Sequence, residues 1–369
     1  MPTTLEKLTL KGFKTIRELV DFEPGPLTVL IGPNGAGKSN FISFFHLLSS
    51  VVACPGALQE YVARGGGASA ILHDGPGRTR EIAVEVTVVT PEGENAYGFR
   101  LLYAAGDTLA FVGEKYGHFR ADLFDIGGVD GWPPLHPEAK LAGEAETGNL
   151  AAKATLGLLR KSLPHHFHDT SDTSRMRQKW NEDDNRRLKE DGGNMAPFLW
   201  RLRDREPKCY QRIVETVRLI LPFFADFDLE PEYGKLLLRW RERGSDLVFN
   251  ASQAGDGMLR AMALVALLLQ PERDFPNVLI LDEPELGLHP YAIKVVAGLI
   301  QSAATKTQVV VATQSTRLVD CFEPEDIVVV ERRERESVFK RLNGDDLREW
   351  LEEYSLSELW EKNVIGGRP

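Results

Sequence analysis

Apolar and polar positions along this chain switch between strand and helix periods, and those switches set out its elements. Leu27-Thr28-Val29-Leu30-Ile31 is a short, β-branched apolar run, the pattern of a buried strand. Residues 4–31 as a whole read as strands leading into a Gly-rich break. Beyond that break, Asn40-Phe41-Ile42-Ser43-Phe44-Phe45-His46-Leu47-Leu48 predicts a helix with a mostly apolar surface. Over 80–89, 95–103 and 108–116 the pattern is short, β-rich and punctuated by Gly and Pro, which predicts an antiparallel meander. The stretch 124–148, with Gly-Gly, Pro-Pro and several acids, reads as a loop, and 149–161 as a helix. Residues 169–194 are polar, charged and aromatic-poor, the composition of a long loop or a partly ordered arm.

Helical patterns resume at 195–205 and 208–221, with strand-like runs at 235–241 and 246–250. The last third then alternates helix and strand at 256–270, 278–282, 290–304 and 308–313. Such alternation predicts a parallel sheet with flanking helices, hence an α/β fold class. No internal repeat is visible.

At 369 residues the chain exceeds one average domain. The expected units are an N-terminal lobe at 1–120, a helical insertion at 121–225 and a C-terminal lobe at 226–369. A hydrophobic fraction of 43% supplies a core without pointing to a membrane. The longest apolar run, 262–269, falls well short of the ~18 residues a spanning helix needs. Residues 1–11 lack the apolar stretch of a signal peptide, so a cytoplasmic location is expected. Cys54, Cys209 and Cys321 are scattered, without metal spacing, and fit a reducing compartment. The net charge of −10 argues against indiscriminate coating of nucleic acid and leaves room for a local basic face.

The Gly-rich break carries the chemistry. Gly32-Pro33-Asn34-Gly35-Ala36-Gly37-Lys38-Ser39 matches G-x-x-x-x-G-K-[ST] and lies between a strand and a helix that begins near Asn40. The glycines let backbone N–H groups crowd round a β-phosphate; Lys38 can reach the β/γ oxygens and Ser39 can hold Mg²⁺. The competing reading is a Gly-rich turn without a ligand, and the order strand, loop, helix disfavours it. ATP with Mg²⁺ is the expected ligand pair.

Val278-Leu279-Ile280-Leu281 ends in Asp282-Glu283, which a buried parallel strand would deliver to the edge where α/β sheets bind ligands. Asp282 would hold Mg²⁺, through water or Ser39, and Glu283 would polarise the water that attacks the γ-phosphate. The next strand ends at Gln314-Ser315, and Gln314 could reach the γ-phosphate or merely cap a helix. Ser252-Gln253-Ala254-Gly255 precedes Asp256-Gly257-Met258 at the start of a long apolar helix. A second anion-binding turn in a chain that already has a phosphate loop suggests another molecule's nucleotide.

In this order of motifs the chain resembles an ABC-type ATPase. Glu285-Leu286-Gly287-Leu288-His289-Pro290 after the acids, and Ala312-Thr313-Gln314-Ser315, are similar to the AAA_21 group of predicted ATPases, related to RecF, SMC and the OLD proteins of phage defence. The resemblance covers most of the chain and is strongest at 5–45 and 160–365. It implies an ABC-type P-loop ATPase head: a mixed or parallel core sheet, an antiparallel meander and a helical lobe. It also implies a homodimer formed on ATP, with each nucleotide between one head's phosphate loop and the other's signature turn. Lys38, Ser39, Asp282 and Glu283 then take the roles given above, Ser252, Gly255, Asp256 and Gly257 act in trans, and Gln314 is the switch. The family signature usually reads Leu-Ser-(Gly/Asp)-Gly, whereas here Ala254-Gly255 stands for Leu-Ser. Losing that hydroxyl weakens the sandwich by about 1.5–3 kcal/mol, unless Ser252 substitutes.

His165-His166-Phe167-His168-Asp169 could be a metal site, but no further Cys or His lies nearby and a structural cluster is the simpler reading. The coupling glutamine usual in such ATPases has no clear counterpart; Gln59 is weakly placed. From 175 to 212 the chain has 11 Lys/Arg against 7 Asp/Glu, a basic arm that either contacts DNA or RNA or is a solvated face. No sustained heptads appear as in SMC proteins. The 55 residues after Gln314 leave no room for the nuclease domain of OLD proteins. Transporter ATPases carry a Leu-Ser-Gly-Gly-Gln turn that this chain lacks. The expected function is thus a cytoplasmic RecF/SMC-like ATPase acting with nucleic acid or a nuclease or toxin effector, in genome maintenance or anti-phage defence. An ATP-gated sensor with little turnover is the alternative.

Overall fold

The computed structural model describes residues 4–90, 93–119, 124–129, 136–160, 164–165, 167 and 169–368. Strand β1 (Thr4–Phe13) folds back as β2 (Ile16–Phe22), and the fully buried β3 (Leu27–Ile31) follows. The meander is β4 (Glu81–Thr90), β5 (Gly93–Ala104), β6 (Thr108–Phe119) and β7 (Phe124–Val129). Together with β1 and β2 it forms an antiparallel sheet in the order β2-β1-β4-β5-β6-β7.

Later come β8 (Pro164–His165), β9 (Trp180–Asn181), β10 (Phe224–Phe227), β11 (Lys235–Leu236), β12 (Arg239–Glu242) and β13 (Val248–Asn250). Strands β14 (Val278–Asp282), β15 (Gln308–Ala312), β16 (Ile327–Arg333) and β17 (Glu336–Arg341) complete the list. The second large sheet runs β17-β16-β3-β15-β14-β8, parallel except for the β16–β17 hairpin. The fold is therefore mixed α/β, as the alternation predicts.

This parallel sheet is buried on both faces, and its period of two assigns alternate residues to two cores. Leu30, Ile280, Val310 and Val328 face the helix Lys38–Ala53, whose Phe41, Phe44 and Phe45 pack between the two large sheets. Val29, Leu281, Val311 and Val329 face the helices Met195–Arg205, Pro207–Ile220, Asp256–Leu268 and Pro290–Ala304. Parallel β3, β15 and β14 thus end side by side, and their C-terminal edge holds the chemistry. Among the described residues no helix is long and apolar enough to cross a membrane.

The loop expected at 124–148 instead contains β7 and a helix, Leu141–Glu146. Strand β7 pairs antiparallel with β6, Gly127 and Gly128 standing opposite Tyr116 and Lys115. The helix start is capped from a distance: the Glu114 carboxylate accepts from Lys140 N and Leu141 N. Residues 169–194 are irregular, as expected, but packed. Asn194, fully buried, accepts from Lys189 N and donates to Asp184 O and Arg187 O.

Candidate nucleotide-binding site

The phosphate loop leaves β3 and enters the helix Lys38–Ala53 with Gly35 at φ +78° and Gly37 at φ +118°. A Cβ on Gly37 would sit 2.0 Å from Ser337 Oγ, so this position needs glycine for space as well as conformation. Ser337, on β17, donates to Ala36 O (2.6 Å) and lies 2.6 Å from the Thr15 hydroxyl, which in turn accepts from Asn40 Nδ2 (2.7 Å). Asn40 therefore braces the loop against the β1–β2 turn. Lys38 is buried, its ammonium donating to Gly32 O and Pro33 O. Burial holds that ammonium below its usual pKa, against the fields of Glu283, Asp282 and Glu285, which raise it. Asn34 and Gly35 are exposed at the loop's tip, and Ser39 is exposed in the first turn of the helix.

Glu283 follows β14 directly and adopts φ +42°, a region that side-chain-bearing residues rarely occupy. Its N–H donates to Ala312 O (2.8 Å) of β15, which fixes that conformation from the neighbouring strand. Gln314 Nε2 donates to both Glu283 Oε1 (2.7 Å) and Asn34 Oδ1 (2.7 Å). One amide thus bridges the acid and the tip of the phosphate loop. The capping role falls to Ser315, whose side chain accepts from Leu318 N. Glu285 accepts from Thr313 Oγ1 while its Oε2 is buried without a hydrogen-bond partner among the described residues, and burial raises its pKa. Asp282, partly buried, lines a small cavity with Glu283, His165, Phe167 and Arg260. An exposed hydroxyl at Ser39 and a carboxylate at Asp282 are hard oxygen donors, the set that Mg²⁺ takes.

The turn before the helix Asp256–Leu268 exposes Ser252, Gly255 and Asp256 to solvent. Sequence reading missed what holds it. Arg177 reaches from the irregular arm to donate to Ala251 O, Ala254 O (3.1 Å), Thr170 O (3.0 Å) and Asp256 Oδ1 (3.4 Å). Arg260, one turn into the helix, donates to Phe167 O and Leu286 O. A Cβ on Gly257 would meet Gly287 O at 2.3 Å, so this glycine is required by packing on the loop after the acids. Ser252 Oγ is committed to Asn250 Oδ1 (2.5 Å).

Gly255 has φ −69° and nothing within 4 Å of an added Cβ, so a side chain there meets neither strain nor clash. Serine is also a preferred N-cap, worth a few tenths of a kcal/mol over glycine. Gly255→Ser is expected to lower the ATP concentration for half-maximal dimer about tenfold, through one charge-assisted hydrogen bond of ~1.5–3 kcal/mol. Light scattering across an ATP titration of parent, Gly255→Ser and Ser252→Ala reads it. A loss in Ser252→Ala with no gain from the new serine means that Ser252 already supplies the hydroxyl.

Of the other candidates, Gln59 lies away from the acids, donating to Leu109 O and Pro137 O. His165 ends β8, which pairs parallel with β14 opposite Leu281. His166 and His168 lie outside the described residues, and Asp169 is exposed and bonded to Ser171. No group of His, Cys, Asp or Glu able to hold a metal is found among the described residues.

Two curated relatives match in part. The chromosome partition protein Smc of Mycolicibacterium paratuberculosis is 37% identical over 95 residues, 25% of this chain and 7% of that protein. The DNA replication and repair protein RecF of an Anaeromyxobacter species is 29% identical over 152 residues, 37% of this chain and 40% of that protein. The matches span less than half of either relative. Among solved structures, an Smc head bound to the C-winged helix domain of ScpA superposes with a TM-score of 0.63 at 16% identity, covering 94% of this chain and 99% of that one. A second Smc head, with an extended coiled coil and bound to the C-terminal domain of ScpA from Pyrococcus furiosus, gives 0.59 at 15% identity, covering 95% and 99%. These likenesses show the fold, an ABC-ATPase head. A family model described as "AAA domain, putative AbiEii toxin, Type IV TA system" matches residues 27–320. The chain belongs to that family, AAA_21, and has the fold of an ABC-type ATPase head.

Proposed function

We propose that the chain binds Mg·ATP at the C-terminal edge of β3, β14 and β15, closes into a two-fold dimer around it, and hydrolyses it. The observation that supports this reading is the hydrogen-bonded bridge from Glu283 through the Gln314 amide to Asn34 of the phosphate loop. Lys38 is desolvated and positioned beside that loop, where it would offset β/γ charge. Glu283 would take the proton of the attacking water, and Gln314, released from its bridge, would orient that water. Ser39 and Asp282 would hold Mg²⁺, which when bound neutralises charge on the transferred phosphoryl group. The signature turn, exposed and braced by Arg177, would complete the partner's site.

With Mg·ATP, the Glu283→Gln chain should dimerise over an interface on the order of 1,200–2,000 Å². Light scattering at tens of micromolar protein reads this, and an unchanged mass with and without ATP would falsify the sandwich. The RecF and Smc likenesses favour nucleic acid as the object of the work, in genome maintenance. The family description, which names a toxin and a toxin–antitoxin system, favours a role in defence with an effector protein. A slower, ATP-gated sensor is favoured by one observation, the missing hydroxyl at Gly255. Phosphate release that stays below one turnover per dimer lifetime, with or without nucleic acid, selects it.

A further inference from the structure

Glu285 stands where a carboxylate is costly. It lies within the fields of Glu283 and Lys38, its Oε2 is buried with no hydrogen-bond partner among the described residues, and burial raises its pKa. The Thr313 hydroxyl and the N–H groups of Glu285 and Gln314 favour its charged form in return. A well-packed apolar side chain of similar volume would avoid both the desolvation and the idle oxygen. Packing therefore does not call for an acid at this position. Among the described residues the neighbouring acids do not converge with it as a set of metal ligands either. Nor is it placed as a base, since Oε1 is engaged by Thr313 and Oε2 is buried away from any attacking water.

What this carboxylate holds is the end of β15. Its Oε1 accepts from Thr313 Oγ1, and that oxygen in turn accepts from Ser315 N (2.9 Å). Thr313 is fully buried, and its own N–H donates to Leu30 O (3.0 Å) of β3. Ala312 O is taken by Glu283 N (2.8 Å), and Ser315 Oγ accepts from Leu318 N (3.2 Å). The chain is thus tied down on both sides of Gln314. From between these fixed points Gln314 sends its side chain out to Glu283 Oε1 and Asn34 Oδ1. Without an acceptor at 285, the Thr313 hydroxyl would be an unsatisfied buried donor, and turning to find another partner would release Ser315 N. We infer that Glu285 is a positioning residue for ATP hydrolysis: through Thr313 it fixes the backbone from which Gln314 aims its amide at the attacking water. The inference rests on the proposed roles of Glu283 and Gln314. Groups in a reacting constellation work only when their supports hold them to within about 0.5 Å.

The test is kcat for ATP in the full chain, with Mg·ATP affinity from calorimetry measured beside it. Glu285→Leu and Thr313→Val should each lower kcat by on the order of 10–100-fold, the loss expected of a group misplaced by about 1 Å, and leave the affinity within about threefold of the parent's. Glu285→Gln, whose amide oxygen can accept from Thr313, should recover most of the rate. Gln314→Ala should cost a similar factor by itself and little more once Glu285→Leu is present, because both remove one interaction. Hydrogen exchange of a peptide spanning 313–318 should quicken in Glu285→Leu and Thr313→Val while the phosphate-loop peptide keeps the parent's rate. Thr313→Val keeps the β-branched shape and reads the same bond should Glu285→Leu fail to fold. Losses that multiply in the double variant, an affinity that falls as far as kcat, a Glu285→Gln chain as slow as Glu285→Leu, or unchanged exchange at 313–318 each overturns the assignment. A parent that turns ATP over while these variants keep its kcat loses this inference alone. One that binds ATP without turnover loses the hydrolytic reading, and this inference with it.

Discussion

With glutamine in place of Glu283, the chain should bind Mg·ATP as tightly as the parent and turn it over about 10²–10⁴-fold more slowly, the usual worth of a positioned base. The substitution suits the site. Glutamine keeps an oxygen to accept from Gln314 Nε2, and the backbone N–H to Ala312 O is untouched. The φ of +42° at this residue is no harder for glutamine than for glutamate, since both carry the same unbranched Cβ. Only the ability to take a proton is removed. Single-turnover phosphate release beside an ATP titration checks both halves of the claim. Turnover equal to the parent's would dismiss Glu283 as the base and pass the role to Glu285, the neighbouring carboxylate that Thr313 holds.

Lys38→Ala should weaken ATP binding from about thirty-fold to several thousand-fold, as expected when one partner of a desolvated charge pair is truncated at ~2–5 kcal/mol. Two effects act in the same direction. The charged contact with the β/γ oxygens is lost, and the fields of Glu283, Asp282 and Glu285 then face the triphosphate unopposed. Lys38 Nζ already donates to Gly32 O and Pro33 O, so it stands at the loop before any ligand arrives and little ordering is needed. Calorimetry with Mg·ATP reads the loss, and an affinity within threefold of the parent's would remove Lys38 from the site.

The parts of this architecture that could be read in the sequence are those encoded locally. Strand, Gly-rich loop and helix stand in uninterrupted order at 27–53, and the four apolar residues before Asp282 announce their own buried strand. What escaped is encoded at long range. Ser337 supports Ala36 from three hundred residues away, on an edge strand whose sequence looks like any hairpin. Glu114 caps a helix that begins at Leu141, and only the folded sheet brings them together. The arm at 169–194 has no period to read because side-chain to backbone hydrogen bonds, from Asn194, Arg177 and Trp180, replace the repeating ladder of helix or sheet. The basic character of 175–212 is visible in the sequence, but not the ion pairs that engage Arg175, Arg177, Lys179, Lys189, Arg201 and Arg203. The sequence points Gly257 toward a ligand and gives no sign of its second constraint, the close packing on Gly287 O.

That packing leaves Gly257 and the carbonyl of Gly287 without the space of a single methyl between them, and Arg260 ties the same two segments again through Leu286 O. A junction with no slack transmits displacement instead of absorbing it. In the proposed dimer, each chain would lend its 252–257 turn to its neighbour's nucleotide while its 285–289 loop follows its own acid. Filling one nucleotide site would then bias the geometry of the other, and by linkage the bias is mutual and equal in both directions. Binding of the two ATP molecules would then be coupled, with a Hill coefficient that departs from one, and the glycine pair would be the rigid link that carries the coupling.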